Sequence, residues 1–109
     1  MAELTVNKVG LNGTSVSFTA ADSNGDYFDN DGRSIFIVKN ENTSNDCNVT
    51  IHAQKKCNQG HLHDITATVP VGETYYFEDL EEARFNDENG DIQVDYDMTT
   101  DVKVTVLKY

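Results

Sequence analysis

Asp91-Ile92-Gln93-Val94-Asp95-Tyr96-Asp97-Met98-Thr99-Thr100-Asp101-Val102-Lys103-Val104-Thr105-Val106 is the stretch on which the fold class turns. Ile92, Val94 and Tyr96 alternate with Gln93 and Asp95, and Val102, Val104 and Val106 alternate with Lys103 and Thr105. Such alternation puts the branched and aromatic side chains of each run on one face of an extended strand. The residues Asp97 to Asp101 between the runs suit a hairpin with a medium loop. One face of that unit requires a core and the other requires water.

The same rhythm recurs towards the N-terminus, with turn residues about every ten positions from Ile35 onwards. Ile35-Phe36-Ile37-Val38 is apolar on both faces and reads as a central strand covered from both sides, which calls for two packed sheets. Asn12-Gly13, between Leu4, Val6, Val9 and Val16, Phe18, Ala20, readily takes the two positive φ angles of a type I′ hairpin turn. Asn89-Gly90 repeats the device before Ile92, and Pro70-Val71-Gly72 fits a type I turn with proline preset at its second position. Candidate strands are 3–9, 14–20, 34–39, 47–54, 64–70, 73–78, 91–96 and 102–108. Leu80 to Arg84 is the stretch that reads as a helical turn, and 40–46 and 86–91 read as polar loops. The expectation is an all-β chain: a single antiparallel β-sandwich, immunoglobulin-like or jelly-roll, of about eight strands.

At 109 residues and without a linker, repeat or low-complexity tract, residues 1–109 read as one domain. A hydrophobic content of 38% with no tryptophan makes the core thin, so association with other chains would add stability. Nineteen acidic residues against eight basic ones give a net charge of −11, a field that repels phosphate backbones and anionic lipid. Neither nucleic acid nor a membrane is therefore an expected partner. No signal-peptide pattern or long apolar run is visible. Asn12, Asn42 and Asn48 begin Asn-x-Ser/Thr triplets, which without a secretory signal reflect a chain rich in Asn and Thr.

Residues with chemical potential are few. If 47–54 is extended, Cys47 and Gln54 stand roughly 23 Å apart, and three more residues return at most about 10 Å, so Cys57 stays outside disulfide reach of Cys47. Cys47 shares parity with Val49, Ile51 and Ala53 and reads as a small buried hydrophobe; Cys57 reads as a loop thiol. Cys57, His61 and His63 form a Cys-x3-His-x-His cluster with zinc-ligand potential. The competing reading has these histidines closing the end of a sandwich. The cupin metal motif is not matched, since no Glu follows His63 at its interval. Residues 22–32, Asp-Ser-Asn-Gly-Asp-Tyr-Phe-Asp-Asn-Asp-Gly, hold oxygen donors suited to calcium. An EF-hand would need Gly where Tyr27 stands and Glu where Arg33 stands, leaving an irregular site or a solvated loop. No catalytic constellation is legible, so no catalytic, cofactor-binding or metal residue is assigned and the chain reads as a non-enzyme.

Asp31-Gly32-Arg33 leading into Ile35-Phe36-Ile37-Val38-Lys39-Asn40, Cys57-Asn58-Gln59-Gly60-His61-Leu62-His63-Asp64, Val69-Pro70-Val71-Gly72-Glu73-Thr74, and Ala83-Arg84-Phe85-Asn86-Asp87 follow one another in an order with a counterpart elsewhere. Over roughly residues 3–108 the chain resembles small β-sandwich structural proteins of tailed phages and prophages. That resemblance implies a virion structural protein, first of all a capsid decoration (auxiliary or cement) protein on the outside of the shell. It would be made in the bacterial host cytoplasm, with the major capsid protein or other virion proteins as partners and a homo-oligomeric state on the particle. Tyr27, Phe28, Tyr75, Tyr76 and Phe77 are the candidate anchors. A neck or tail component, a calcium-ordered extracellular binding module and a metal-dependent jelly-roll enzyme using His61 and His63 are the competing readings.

Overall fold

The computed structural model describes residues 1–11, 13–55 and 63–109. Its elements are β1 (Ala2–Glu3), β2 (Val6–Lys8), β3 (Thr19–Ala20), β4 (Asp26–Asp29), β5 (Ser34–Asn40), β6 (Cys47–Ile51), β7 (Ile65–Val69), β8 (Thr74–Phe77), α1 (Glu82–Phe85), β9 (Asp91–Tyr96) and β10 (Val102–Lys108). They form two sheets: sheet 1 in the order β1-β4-β9-β6-β7, and sheet 2 in the order β2-β10-β5-β8 with β3 also paired to β10. The all-β sandwich is therefore the fold. Most pairings are antiparallel, while the short N-terminal strands join in parallel, β1 to β4 and β2 to β10.

Alternation decides which side chains meet between the sheets. Ile92 and Val94 of sheet 1 face Val102, Val104 and Val106 of sheet 2 in one contiguous core, all essentially without solvent contact. Phe28 of β4 stacks on Phe36 of β5 across the gap at 5.5 Å, and Phe36 stacks on Phe77 of β8 at 6.0 Å. Such aromatic contacts add to the area that three rings remove from water. β5 is the covered central strand, with Phe36, Ile37 and Val38 all buried.

Several expected pairings are corrected. The 91–108 stretch is no hairpin, because β9 lies in sheet 1 and β10 in sheet 2, and the chain arches across the core at Asp97–Asp101. An arch and a hairpin produce the same period-2 pattern, since both send alternate residues inward. Pro70-Val71-Gly72 does turn the chain, with Glu73 N–H donating to Pro70 O at 3.0 Å, but it too carries the chain from sheet 1 to sheet 2. At the N-terminal turn Gly13 N–H donates to Gly10 O at 3.1 Å, yet β2 and β3 pair with β10 and not with each other. The segment 3–9 is likewise split between β1 and β2, one in each sheet, on either side of the buried Leu4. Asn12 lies outside the described residues.

The segment 22–32 is not a single loop, because its middle is β4, sending Asp26 and Phe28 into the core and Tyr27 and Asp29 outward. The turn before β4 presses against β9. A Cβ on Gly25 would collide with Asp95 Oδ1 and lie 2.7 Å from Val94 O at φ +91°, so only glycine fits there. The helical turn expected over Leu80–Arg84 is α1, which starts two residues later and ends one residue later; it buries Phe85 and lies beside β9. A reciprocal amide pair seals that end: Asn30 Nδ2 donates to Asn86 Oδ1 and Asn86 Nδ2 donates to Asn30 O, each at 2.7 Å. Among the described residues no helix is long and apolar enough to cross a membrane.

Candidate interaction surface

The outer face of sheet 2 is built from the side chains that alternation turns away from the core. Register aligns them in three rows, Tyr76-Ile37-Thr105, Ile35-Leu107-Asn7 and Thr74-Lys39-Lys103-Ala20. The segment before β3 lies over part of this face, with Thr105 Oγ1 donating to Ser17 O at 3.1 Å and Lys39 Nζ 5.7 Å above the ring of Phe18. Ile37 and Thr105 are thereby covered, while Tyr76 remains 67% exposed and Phe18 40% exposed. Exposed aromatic rings on a rigid sheet lose little side-chain freedom on binding, which is why such residues recur as interface anchors. Tyr109, with the Arg33 guanidinium 5.2 Å from its ring, extends the exposed aromatic surface towards the C-terminus.

Of the expected anchors, Phe28 and Phe77 belong to the core, Tyr27 sits half-buried on the other sheet, and Tyr75 and Tyr76 are exposed. Phe18 was not among them, because a strand over 14–20 gives it the same parity as Val16 and Ala20. Only the path of residues 13–18 over sheet 2, which is non-local, leaves it outside.

The outer face of sheet 1 is its chemical opposite. Glu3, Asp29, Asp91 and Asp95 occupy the β1-β4-β9 half, and Asn48, Thr50, Thr66 and Thr68 the β6-β7 half. A cleft of about 280 Å³ lined by Tyr27, Asp87, Asp91 and Gln93 opens there. Asp91 has its pKa raised by partial burial and then by the neighbouring charges of Asp87, Asp29 and Glu3. Asp87 goes the other way: partial burial would raise it, but hydrogen bonds from Gln93 Nε2 (2.9 Å) and from the backbone N–H of Asp91 and Asn89 outweigh that.

His52, just beyond β6, carries no motif in the sequence that marks it as a site. Its Nε2 meets Asp95 Oδ2 at 2.5 Å and its Nδ1 stands 3.4 Å from Asp64 Oδ2, while Asp64 Oδ1 accepts the Ala53 N–H at 2.7 Å. The two carboxylates lie on opposite sides of the ring, so they cannot converge with one nitrogen on a single ion; the cluster ties β9 to the approach of β7. His52 and Asp95 become neighbours only through the β6–β9 pairing, which a sequence reading does not reveal.

Cys57 and His61 of the Cys-His-His cluster lie outside the described residues, and the carbonyl of His63 accepts from Arg84 at 2.7 Å. Among the described residues no group of three or more His, Cys, Asp or Glu is placed to hold a metal. The acidic segment is divided physically: Asp26 is buried, Asp31 is paired with Lys108 Nζ at 2.7 Å, and Asp22 accepts from the Asn24 N–H at 2.8 Å. Cys47 is a buried free thiol donating to Met98 O at 3.2 Å. Burial, with the charge of Asp97, pushes its pKa up to about 11, so it is no nucleophile. Asn42 of the Asn-x-Ser triplet is buried and accepts from Ser44 and Asn45 N–H, which leaves no room for a glycan.

Two buried polar atoms lack a hydrogen-bond partner among the described residues, Ser34 Oγ and one oxygen of Asp26. Asp26 Oδ2 accepts from Tyr96 OH at 2.8 Å and Asp22 N–H at 3.3 Å, but Oδ1 has no partner among the described residues. Burial raises the Asp26 pKa above the ordinary 3.8, and burial together with the Asp26 carboxylate pushes the Tyr96 phenol far above its usual range.

Comparison of the chain with protein families, with curated proteins and with solved structures finds no match.

Proposed function

We propose that this protein is a non-enzymatic structural component of a tailed-phage virion, a capsid decoration protein that binds the outside of the shell and stabilises it. The observation that carries the reading is the outer face of sheet 2, where Tyr76 and Phe18 stand exposed among Ile35, Leu107, Lys39 and Lys103 on a tightly packed scaffold. Such a face supports docking on a large partner, here the major capsid protein, by burial of aromatic area. The acidic outer face of sheet 1 suits the solvent side of a particle, because like-charged surfaces repel one another and repel released DNA. The biological setting rests on the sequence alone, in which the order of motifs over residues 3–108 resembles phage β-sandwich proteins.

Density-gradient fractionation of the source lysate, with quantitative mass spectrometry of the particle band, tests the proposal. Many copies per particle at a fixed ratio to the shell protein support decoration. A handful of copies would move the protein to the neck or tail. Absence from particles overturns the virion reading.

A further inference from the structure

We infer that β8 is a strand-addition site, whose open edge takes up an extended segment of a partner protein carrying basic residues at both ends of the added strand. The inference specifies how the proposed docking occurs, yet its test does not require the partner to be a shell protein.

The hydrogen-bond direction along β8 follows from its first pair. Asn40 N–H donates to Glu73 O at 2.9 Å, and the register continues as Lys39↔Thr74, Val38↔Tyr75, Ile37↔Tyr76 and Phe36↔Phe77. In an antiparallel ladder successive residues bond to alternate sides, so Tyr75 and Phe77 bond to β5 while Thr74 and Tyr76 direct N–H and C=O outward. Among the described residues β8 has no neighbour on that side. Natural sheets guard such edges with proline, lysine, an inward charge or a bulge. Thr74-Tyr75-Tyr76-Phe77 has none of these within the strand.

The other edges are less available. β1 has two residues, and beside β2 and β3 Thr14 Oγ1 donates to Lys8 O at 3.2 Å. β7 ends at Val69, directly before Pro70, and the Val69 carbonyl is taken by Asn40 Nδ2 at 3.1 Å. On β8, by contrast, Tyr75 faces inward yet remains 37% exposed, because sheet 1 does not cover it. A strand added at this edge would lay its own inward side chains beside Tyr75 and Phe77 and its outward ones beside Tyr76.

Charge selects the occupant. Glu73 precedes the strand and Glu78 and Asp79 follow it, all exposed. Two copies pairing β8 about a two-fold at Tyr76 would set Glu73 opposite Asp79 at both ends, on top of a net charge of −11 per chain. A two-fold at Tyr75 would instead set Glu73 against Phe77. Lys or Arg at the ends of the incoming strand, with β-branched or aromatic residues between, satisfies both the carboxylates and the apolar middle.

The test titrates the full chain at low salt with the synthetic peptide Lys-Lys-Thr-Val-Tyr-Val-Thr-Lys-Lys, followed by amide NMR and hydrogen exchange. Binding should protect the Thr74 and Tyr76 amides. Methylating alternate peptide nitrogens should weaken affinity about tenfold or more, because strand addition depends on main-chain hydrogen bonds. Glu73→Lys with Glu78→Lys, both exposed, should leave the melting temperature unchanged. That double variant should weaken the lysine peptide roughly three- to tenfold and strengthen the same peptide carrying Glu for Lys. No binding at millimolar peptide, indifference to methylation, protection away from β8, or concentration-dependent dimerisation through β8 would each overturn the inference. Absence of the protein from particles would sink the virion reading and leave this one standing.

Discussion

The two outer faces of this sandwich cover one core and share almost nothing else. Sheet 1 turns Glu3, Asp29, Asp91 and Asp95 and a set of Thr and Asn to the outside; sheet 2 turns out Ile35, Leu107, Tyr76, Lys39 and Lys103. The net charge of −11 is therefore not a uniform coat. A composition-level argument that repulsion excludes anionic partners applies with full force to the sheet 1 side, while the outer face of sheet 2 is apolar with cations and its β8 edge is flanked by the exposed carboxylates of Glu73, Glu78 and Asp79. Under the proposed function, that asymmetry leaves solvent on one side and the partner on the other.

The comparison breaks most completely if the shared core is removed. Phe36 touches Phe28 of sheet 1 and Phe77 of its own sheet, so Phe36→Ala should cost about 3–5 kcal/mol and lower the denaturant midpoint for probes on both faces together. A variant that loosened only one sheet would show the faces to be energetically separate. Next in size is Asp26, the buried carboxylate behind the acidic face. Its native pKa is raised, so its contribution to stability is complete below 3.8 and is lost as pH rises through the higher native value. Asp26→Asn should therefore gain on the order of 1 kcal/mol at pH 7 and flatten the decline of stability above pH 4, measured by urea titration across pH.

Smaller effects sharpen the contrast between the faces. Asp91 is crowded by Asp87, Asp29 and Glu3, so Asp91→Asn should stabilise by a few tenths of a kcal/mol at low salt, and the gain should shrink at high salt. Differential scanning calorimetry at two ionic strengths would reveal it. Smallest of all is Tyr76→Ser, which should change stability by no more than about 0.5 kcal/mol, because the ring is 67% exposed. Its effect belongs in binding. A large loss of stability from this change would show Tyr76 to be structural.

Much of the architecture is legible in the chain because inward and outward alternation is a local property. Val102, Val104 and Val106 point inward as their spacing demands, and Ile35 to Val38 forms the central strand that its double-sided apolarity requires. Partnership is not local. The turn at Asp97–Asp101 has the length of a hairpin loop, but whether the chain folds back in plane or crosses to the other sheet depends on which inward faces find each other across the core. β4 escaped notice because carboxylates flank Tyr27 and Phe28, and Asp26 goes inward only by bonding to Tyr96, a residue 70 positions away. The aromatic pair Tyr75 and Tyr76 is visible in sequence, and parity already places one of them outside. That their strand is the edge of sheet 2 among the described residues emerges only from the sheet order.

Hydrogen–deuterium exchange of the protein free and bound to shells tests most directly the claim that sheet 2 docks and sheet 1 faces solvent. The account predicts slowed exchange at Thr74–Phe77 on binding and unchanged exchange along Asp26–Asp29 and Asp91–Tyr96. Protection concentrated on those sheet 1 strands, with β8 unaffected, would contradict it.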